Sequence, residues 1–381
     1  MRTTLGFGLC YHDATQESPY RSARRTLPWD IPSVSRTRAL VTLAALALLV
    51  VWGLLPSSEP KATRPLPPPG RGDAALYMKV IDRVAAGERY YQAFGDELRR
   101  DDYPAQSPFN WRTPFHLTLV AYATVPAATL VLKLLTLAAV LATAAVLASS
   151  GRTAAVAGTL AQMGALATAF QPQAVGVSEV WAGVLVALSA CAYYRAWWIP
   201  GALLGVGAVF IRELAAPYCV ACALLAFGAR RREAGVWIGA GLAYAAYYGM
   251  HVWQVNAHQL AGDLAHTEPW QQWNGLQFTL ATIGVNGWLS FVPHWAAMVY
   301  MVFALAGTAS RALARQVRWA LLVYFALFAI VGLPFNYYWG FVTAPLWAFG
   351  LAHAADGLRR LIAAAATPDR HGGPAETEAR L

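Results

Sequence analysis

The hydrophobic positions of this 381-residue chain fall into long apolar runs that are separated by short polar segments. A first run, residues 39–55, follows a polar N-terminal segment, and ten further runs begin at residue 114. An apolar run of about 20 residues crosses the hydrocarbon core of a bilayer as a helix. The pattern therefore predicts an all-α membrane protein with about ten transmembrane helices. The later runs are residues 114–125, 127–149, 154–170, 180–194, 196–211, 214–229, 235–255, 289–309, 319–334 and 340–356.

Arginines mark one set of run ends. Cytoplasmic ends of transmembrane helices carry an excess of Lys and Arg, so these ends are predicted to be cytoplasmic. Placing all of them there requires residues 114–149 to cross once, as a re-entrant piece and one span. If Pro126 instead separates two full crossings, one crossing must be gained or lost elsewhere to keep the arginine clusters on one side. Nine to eleven spans are therefore predicted, with both termini cytoplasmic. The clusters are Arg152, Arg195, Arg230–Arg232, Arg311–Arg318 and Arg359–Arg360.

One long polar segment, residues 56–113, interrupts the apolar pattern and is predicted to be an outer loop in water. Within it, apolar residues recur at helical spacing after the Gly72–Asp73 pair, where Asp73 is suited to cap a helix. A second short helix is predicted over about Arg89–Arg100, followed by an ordered loop that returns to the bilayer. The loop thus carries two amphipathic juxtamembrane helices. The apolar face of the first consists of Leu76, Tyr77, Val80, Ile81 and Val84.

The remaining polar segments define the predicted domain organisation. Residues 1–38 are predicted to be a disordered, basic cytoplasmic tail, and residues 367–381 a second disordered tail. Between them, residues 39–366 form a single membrane domain. Residues 257–287, which are rich in Trp, are predicted to be a second outer loop with an interfacial stretch.

Composition agrees with a location in the membrane. Hydrophobic residues make up 57% of the chain and charged residues 13%, with a mean hydropathy of +0.40, whereas soluble domains carry about 25% charged residues. The net charge of +9 arises from the arginine clusters between apolar runs, which argues against nucleic-acid binding. Cys219 and Cys222 lie inside an apolar run without a nearby His, so they are interpreted as packing residues.

Charged residues at membrane depth are costly and usually mark a functional site or an ion pair. Five of them fall at the predicted outer ends of spans or in outer loops, on the same side as Asp73. The sequence therefore predicts that they converge in one site at the outer membrane surface. They are Glu179, Arg212, Glu213, Asp263 and Glu268.

Several segments between residues 39 and 356 are similar to a known family. After the first run come "GDAALY", "GERYY", "ELRRDDYP" and "FNWRTP", and later "SEVWAGVLVAL", "FIREL" and "NYYWGFVTAPL". This order resembles bacterial members of the GT-C superfamily, polytopic glycosyltransferases that use polyprenyl-phosphate sugars. The resemblance implies a GT-C-like fold in the inner membrane and a catalytic base in the first outer loop, at the position of Asp73. A second acidic residue has no single counterpart, since Asp82, Asp101 and Asp102 are all candidates, so metal dependence is left open.

Glycosyl transfer requires a base for the acceptor proton and cations for the departing lipid phosphate. Asp73 is the predicted base, and the first helix is expected to lie on the membrane with its apolar face down. Histidines His258, His266 and His294 have no spacing that supports a shared metal, and a divalent metal has no support from ligand spacing. The predicted substrate-binding residues are Tyr77, Tyr91, Tyr103, Arg112, Glu179, Arg212 and Glu213.

The sequence thus predicts a membrane glycosyltransferase that moves a sugar from a polyprenyl-phosphate donor to a lipid, glycan or protein acceptor on the outer face. Membrane lipids are its other expected partners. The main alternative is a polytopic transporter or lipid flippase of envelope biogenesis, in which the same outer charges would line a pathway. A third possibility is a non-catalytic partner in envelope assembly. A transporter is expected to carry ionisable residues near the bilayer midplane and an internal repeat, and neither is evident.

Overall fold

The computed structural model describes residues 34–53, 72–265, 268–269, 271–273 and 275–367. Over these ranges the protein is helical, apart from one isolated antiparallel bridge between Gln271 and Val331. The predicted all-α class is therefore confirmed for the described residues. The α-helices are α1 (Arg36–Gly53), α2 (Asp73–Ala85), α3 (Tyr90–Arg100), α4 (Pro114–Ala123), α5 (Val125–Leu147), α6 (Arg152–Leu166), α7 (Ser178–Tyr194), α8 (Trp198–Ile211), α9 (Ala216–Phe227), α10 (Arg231–His258), α11 (Leu276–Ile283), α12 (His294–Gly307), α13 (Arg315–Phe328), α14 (Gly340–Ala352) and α15 (Ala354–Ala366).

Among the described residues, three helical segments are long and apolar enough to cross a membrane. They are Arg36–Gly53, Val125–Ser150 and Arg152–Phe170, the last two including the 3₁₀ turns that follow α5 and α6. Shorter apolar helices cover Ser178–Tyr194, Trp198–Ile211, Glu213–Phe227 and Trp295–Gly307. The chain therefore has the helices of a membrane protein, while the predicted number of spans stays a prediction.

The segment that follows residue 113 consists of one short and one long helix. Helix α4 has 10 residues and rises only about 15 Å, half of a bilayer core. Thr124, at φ 70°, separates it from the 23 residues of α5, whose first turn contains Pro126. This arrangement fits one partial element followed by one crossing.

Helix α7 lies at the centre of the bundle. Fourteen of its 17 residues are buried, and it packs against α5, α8 and α14. A Cβ atom on Gly183 would lie 2.1 Å from the carbonyl oxygen of Phe341, so only glycine allows this approach. The contact holds the second turn of α7 against the first turn of α14, which directly follows the 3₁₀ turn Pro334–Trp339.

The two predicted helices of the first outer loop are present as α2 and α3. The predicted apolar face of α2 is buried, but against α4, α3 and the 3₁₀ turn Pro172–Gly176. The expectation that this face lies on the membrane is therefore wrong, because protein covers it. Phe94 of α3 stacks between the rings of Tyr77 and Trp111, which fixes both helices to the returning loop.

Other boundaries differ from the sequence prediction. The predicted second outer loop, 257–287, contains helix α11, whose side chains are mostly buried, and a separate amphipathic helix, α15, was not predicted. Helix α1 begins at Arg36, inside the predicted N-terminal tail. The rest of that tail, residues 1–33, the lead 54–71 and residues 368–381 lie outside the described residues.

Contacts gather the arginine-rich helix ends at one end of the bundle. Arg195 donates to the carbonyl of Ala145 at 3.0 Å. Tyr193, two residues before Arg195, donates to Glu233 of α10 at 2.8 Å. The hydroxyl of Tyr194 lies 3.0 Å from the Nε2 atom of His353, the residue directly before α15. These residues end α7, whereas Glu179 is in its first turn, so about 25 Å of helix separates the two ends.

Candidate functional site

The centre of the site is Glu179, in the first turn of α7. Its side chain is 0% exposed, and its Oε1 atom accepts a hydrogen bond from Arg212 Nε at 2.8 Å. Arg112 Nη2 lies 3.4 Å from the same oxygen, and Ser178 Oγ lies 3.2 Å from the other. Arg212 and Arg112 are only 3% and 7% exposed. Buried charges are stable only when they are paired. The carboxylate of Glu179 therefore allows both guanidinium groups to be buried here.

Arg112 is held loosely for a buried arginine. Its Nη2 atom shares two long hydrogen bonds, to Glu179 and, at 3.3 Å, to the hydroxyl of Tyr338. The guanidinium lies 5.2 Å from the ring centroid of Tyr77, within range of a cation–π interaction. Its Nε atom is buried and has no hydrogen-bond partner among the described residues. A buried donor without a partner is costly, so Arg112 retains the capacity to bind an anion.

Arg212 and Glu213 lie where α8 ends and the turn into α9 begins. Arg212 has extended backbone angles, φ −150° and ψ 120°. Pro217, in the first turn of α9, disfavours a continuous helix because its ring would clash with the carbonyl of Glu213. Arg212 Nη1 donates to Glu213, whose side chain remains 25% exposed. Glu213 is thus the solvent-facing carboxylate of the group.

Asp73 lies at the edge of this cluster as the first residue of α2. The helix cap is Gly72, at φ 96°, and Asp73 forms no capping hydrogen bond, so its predicted capping role is wrong. Instead, Tyr103 donates to Asp73 Oδ1 at 2.8 Å. Burial raises the pKa of Tyr103, and the negative charge of Asp73 raises it further. Tyr103 therefore stays protonated and orients a half-buried carboxylate.

Tyr338 is a site residue that sequence reasoning missed. Its hydroxyl accepts from Arg112 Nη2 at 3.3 Å and from Asn336 Nδ2 at 3.5 Å. Burial raises the pKa of Tyr338, and the charge of Asp73 contributes to the same shift, so the two lie within electrostatic range. The segment "NYYWGF" was recognisable, but nothing in its spacing distinguishes Tyr338 from Tyr337.

Tyr91 and Asp263, which were predicted to join the site, make their contacts elsewhere. Tyr91 lies 3.1 Å from His251 Nδ1 and so connects α3 to α10. Asp263 accepts from Arg99 Nε at 2.6 Å and from Arg99 Nη2 at 3.0 Å. Glu268 is exposed. The predicted convergence therefore holds for Glu179, Arg212 and Glu213, but Asp263 instead fastens the segment after α10 to α3.

This Asp263–Arg99 pair gives the loop contact a pH dependence. The hydrogen bond from Arg99 lowers the pKa of Asp263 below its unfolded value, which is about 4. The contribution to stability is therefore present above pH 4 and is lost as the pH falls through the folded pKa.

We expect Asp263→Asn to abolish the protection of residues 259–265 from hydrogen exchange at pH 7. The variant should resemble the wild type only at a pH below the folded pKa of Asp263. The exposed Glu268→Gln is the matched control, and equal protection in all three proteins at pH 7 would contradict the assignment.

The candidates for a second acidic residue are also placed. Asp101 is bound by Lys79 Nζ at 2.9 and 3.2 Å, whereas Asp82 is exposed on α2. His258 Nδ1 lies 2.8 Å from the carbonyl of Gln254 in its own helix. Across the described part of the chain, no three His, Cys, Asp or Glu side chains are grouped so that they would hold a metal ion.

No protein-family model, curated protein or solved structure matches the chain. The chemistry of the site therefore follows from its own residues. Two buried guanidinium groups, Arg112 and Arg212, face one fully buried carboxylate, Glu179, which favours an anionic ligand with oxygen acceptors. Asp73 adds a half-buried carboxylate at the edge of this group.

Proposed function

We propose that the protein is a membrane glycosyltransferase that transfers a sugar from a polyprenyl-phosphate donor to an acceptor hydroxyl. The observation that carries this proposal is the Arg112–Glu179–Arg212 cluster, which has an unpartnered buried Nε atom, with the oriented carboxylate of Asp73 beside it. The acceptor belongs to the class of lipids, glycans or proteins that present a hydroxyl at the membrane surface.

The donor phosphate binds Arg112. Arg212 already donates Nε to Glu179 and Nη1 to Glu213, whereas Arg112 has Nε unused and Nη2 in long bonds only. A guanidinium presents paired donors that fit phosphate oxygens, and in a buried site this interaction is stronger than in water. Tyr103 borders this position and supplies a ring surface for the sugar. The ring of Tyr77 is covered by Phe94 and by the Arg112 guanidinium, so Tyr77 positions Arg112 instead.

In the proposed reaction, the acceptor hydroxyl gives its proton to the Asp73 carboxylate while its oxygen bonds to the anomeric carbon of the donor. The bond between that carbon and the phosphate oxygen breaks. Both electrons leave with the polyprenyl phosphate, which gains one negative charge. Arg112 and Arg212 stabilise this developing charge, and the base contributes a factor of about 10²–10⁴ in rate.

The arginine clusters support an outer location for the site. They lie at the end of α7 that is opposite Glu179, and such clusters mark cytoplasmic ends. The site would then open at the outer face of the inner membrane in a multi-pass protein with both termini cytoplasmic. A polyprenyl-phosphate donor is carried by the membrane itself, so no soluble nucleotide-binding domain is needed.

We expect Arg112→Lys to weaken binding of geranylgeranyl phosphate by about 10- to 100-fold. Lysine keeps the charge but loses the paired donors, and a hydrogen bond to a charged group contributes about 1.5–3 kcal/mol. Binding is measured by calorimetry on the detergent-solubilised protein.

The matched control is Arg100→Lys, since Arg100 lies in the same loop but is itself exposed and pairs at 2.5 Å with the buried Glu97. That control should bind as the wild type does. Unchanged affinity in Arg112→Lys would contradict the proposed phosphate position.

A further inference from the structure

The amide of Asn336 is a buried polar group beside the site that the proposed reaction does not yet use. Asn336 is only 2% exposed. Its Nδ2 atom donates to the hydroxyl of Tyr338 at 3.5 Å, which is longer than a typical N–H···O bond. Its Oδ1 atom has no hydrogen-bond partner among the described residues. Because a buried polar atom without a partner is costly, most such atoms in folded proteins are paired.

Another buried asparagine shows how the chain satisfies an amide that has only a structural role. Asn286 is also 2% exposed. Its Nδ2 atom donates to the carbonyl of Ala161 at 3.0 Å, and its Oδ1 atom accepts from the backbone N–H of Trp288 at 3.2 Å. Both ends of this amide are therefore paired within the protein, whereas the amide of Asn336 is paired weakly and at one end.

The 3₁₀ turn Pro334–Trp339, which carries the Asn336 amide, is held firmly in place. It packs against α11 and against the start of α14. A Cβ atom on Gly340 would lie 1.9 Å from the carbonyl oxygen of Thr282, so only glycine allows this approach. The ring of Trp339 packs edge-on against Phe278, with the centroids 5.9 Å apart. The backbone that supports the amide is thus fixed before a ligand binds, which lowers the entropy cost of binding.

The amide lies beside the proposed phosphate position. The hydroxyl of Tyr338 contacts both Asn336 Nδ2 and, at 3.3 Å, Arg112 Nη2. The unpartnered Nε atom of Arg112 is a donor, which fits a phosphate oxygen. The unpartnered Oδ1 atom of Asn336 is an acceptor, and an ionised phosphate has no hydrogen to give it. A ligand that satisfies both groups must carry a hydroxyl close to an anionic oxygen.

A sugar that is linked to a phosphate at its anomeric carbon has this combination. We infer that the amide of Asn336 binds a hydroxyl of the transferred sugar, namely the one on the carbon next to the anomeric carbon. That hydroxyl is the nearest to the phosphate along the covalent structure. A hydroxyl both donates and accepts, so it pairs with either end of the amide.

This role of Asn336 rests on the proposed function, since it names the part of the donor that the residue recognises. Asn336 then favours a glycosylated lipid phosphate over the bare lipid phosphate that the reaction leaves behind. The same contact that selects the donor therefore weakens binding of the product.

The test combines a change in the protein with a change in the ligand. Calorimetry on the detergent-solubilised wild type measures binding of farnesyl phosphate and of farnesyl phosphates that carry glucose, galactose, mannose or arabinose. The sugar that binds most tightly is then compared with its 2-deoxy form. Bare, glycosylated and 2-deoxy ligands are also measured with Asn336→Ala and with the matched control Asn286→Ala, whose amide contacts α6 instead.

The wild type should bind the glycosylated ligand about tenfold more tightly than its 2-deoxy form, the contribution of one hydrogen bond in a buried site. Asn336→Ala should lose this preference but bind bare farnesyl phosphate as the wild type does, because Arg112 is unchanged. Asn286→Ala should keep the preference, even though it removes two hydrogen bonds from the protein interior.

Equal binding of the glycosylated and 2-deoxy ligands by the wild type would overturn the inference, and this result does not depend on the folding of any variant. A full preference in Asn336→Ala would assign the hydroxyl to another residue. Sugars that add nothing to the binding of bare farnesyl phosphate would exclude a sugar contact altogether.

The proposed function fails separately from this contact. Release of farnesyl phosphate in the presence of acceptors measures transfer. A wild type that shows the 2-hydroxyl preference but transfers no sugar would contradict the proposed reaction and leave the contact standing. Transfer without the preference would contradict only the role of Asn336.

Discussion

Asp73→Asn is expected to lower sugar transfer by about 10²–10⁴-fold, the contribution of a general base. The fold should be retained, because Asp73 makes no capping hydrogen bond and an asparagine Oδ1 atom still accepts from Tyr103. Transfer is measured in proteoliposomes with a panel of synthetic farnesyl-phosphate sugars, by the release of farnesyl phosphate.

The matched control is Asp82→Asn, since Asp82 is an exposed carboxylate on the same helix and should be dispensable. Tyr103→Phe removes the group that orients Asp73 and should cause a smaller loss, about tenfold, with an altered pH profile. Near wild-type turnover of Asp73→Asn would remove this residue from the mechanism. Lipid translocation that survives in Asp73→Asn, in a protein without transferase activity, would favour the transporter alternative.

Glu179→Gln is expected to lower the free energy of unfolding by about 3–5 kcal/mol, the cost of leaving a buried charge without its partner. Glu179 is fully buried and is the shared acceptor of Arg112 and Arg212. The glutamine keeps the size and one acceptor but leaves two buried guanidinium groups without a buried counter-charge. The loss is measured by thermal and denaturant unfolding in detergent.

Glu88→Gln is the control, because Glu88 pairs with Arg83 where both side chains are about a quarter exposed, and such pairs contribute only about 0–1 kcal/mol. Arg212→Met, combined with Glu179→Gln, should recover part of the loss, since it removes one of the unpaired charges. An unfolding midpoint for Glu179→Gln equal to that of Glu88→Gln would show that the arginines are stabilised by other groups.

The sequence predicts local features of this protein well, because periodicity and local charge reveal them. The spacing of Leu76, Val80 and Ile81 correctly identifies the buried face of α2, and the arginine clusters do mark a common end of the bundle. Periodicity does not reveal what covers a face, however. The same spacing fits burial on lipid or on protein, so the membrane contact expected for α2 was wrong.

Sequence reasoning did not predict which residues pair with the buried charged side chains. Arg212 and Glu213 are adjacent in the chain, so the sequence suggests an isolated ion pair. Exchanging the two charges would be the obvious test of such a pair. In the structure the buried partner of Arg212 is Glu179, 33 positions away, so an exchange would place two carboxylates together inside the protein. Tyr338 reaches Arg112 because Gly183 lets α14 approach α7, and this contact joins residues that are too distant for any local pattern.

The short helices that meet at Arg212 have a consequence for the surrounding lipid. Helix α8 has 14 residues and rises about 21 Å, whereas an undisturbed hydrocarbon core is about 30 Å thick. A bilayer that matched both ends of α8 would have to thin by about 9 Å, and each ångström of such mismatch costs a fraction of a kcal/mol. If the site opens to the outer leaflet as proposed, the thinned annulus would bring outer-leaflet phosphates down to the depth of the guanidinium groups. Elastic deformation of the membrane, stored while the protein is at rest, would then supply part of the work of moving a lipid headgroup into the site.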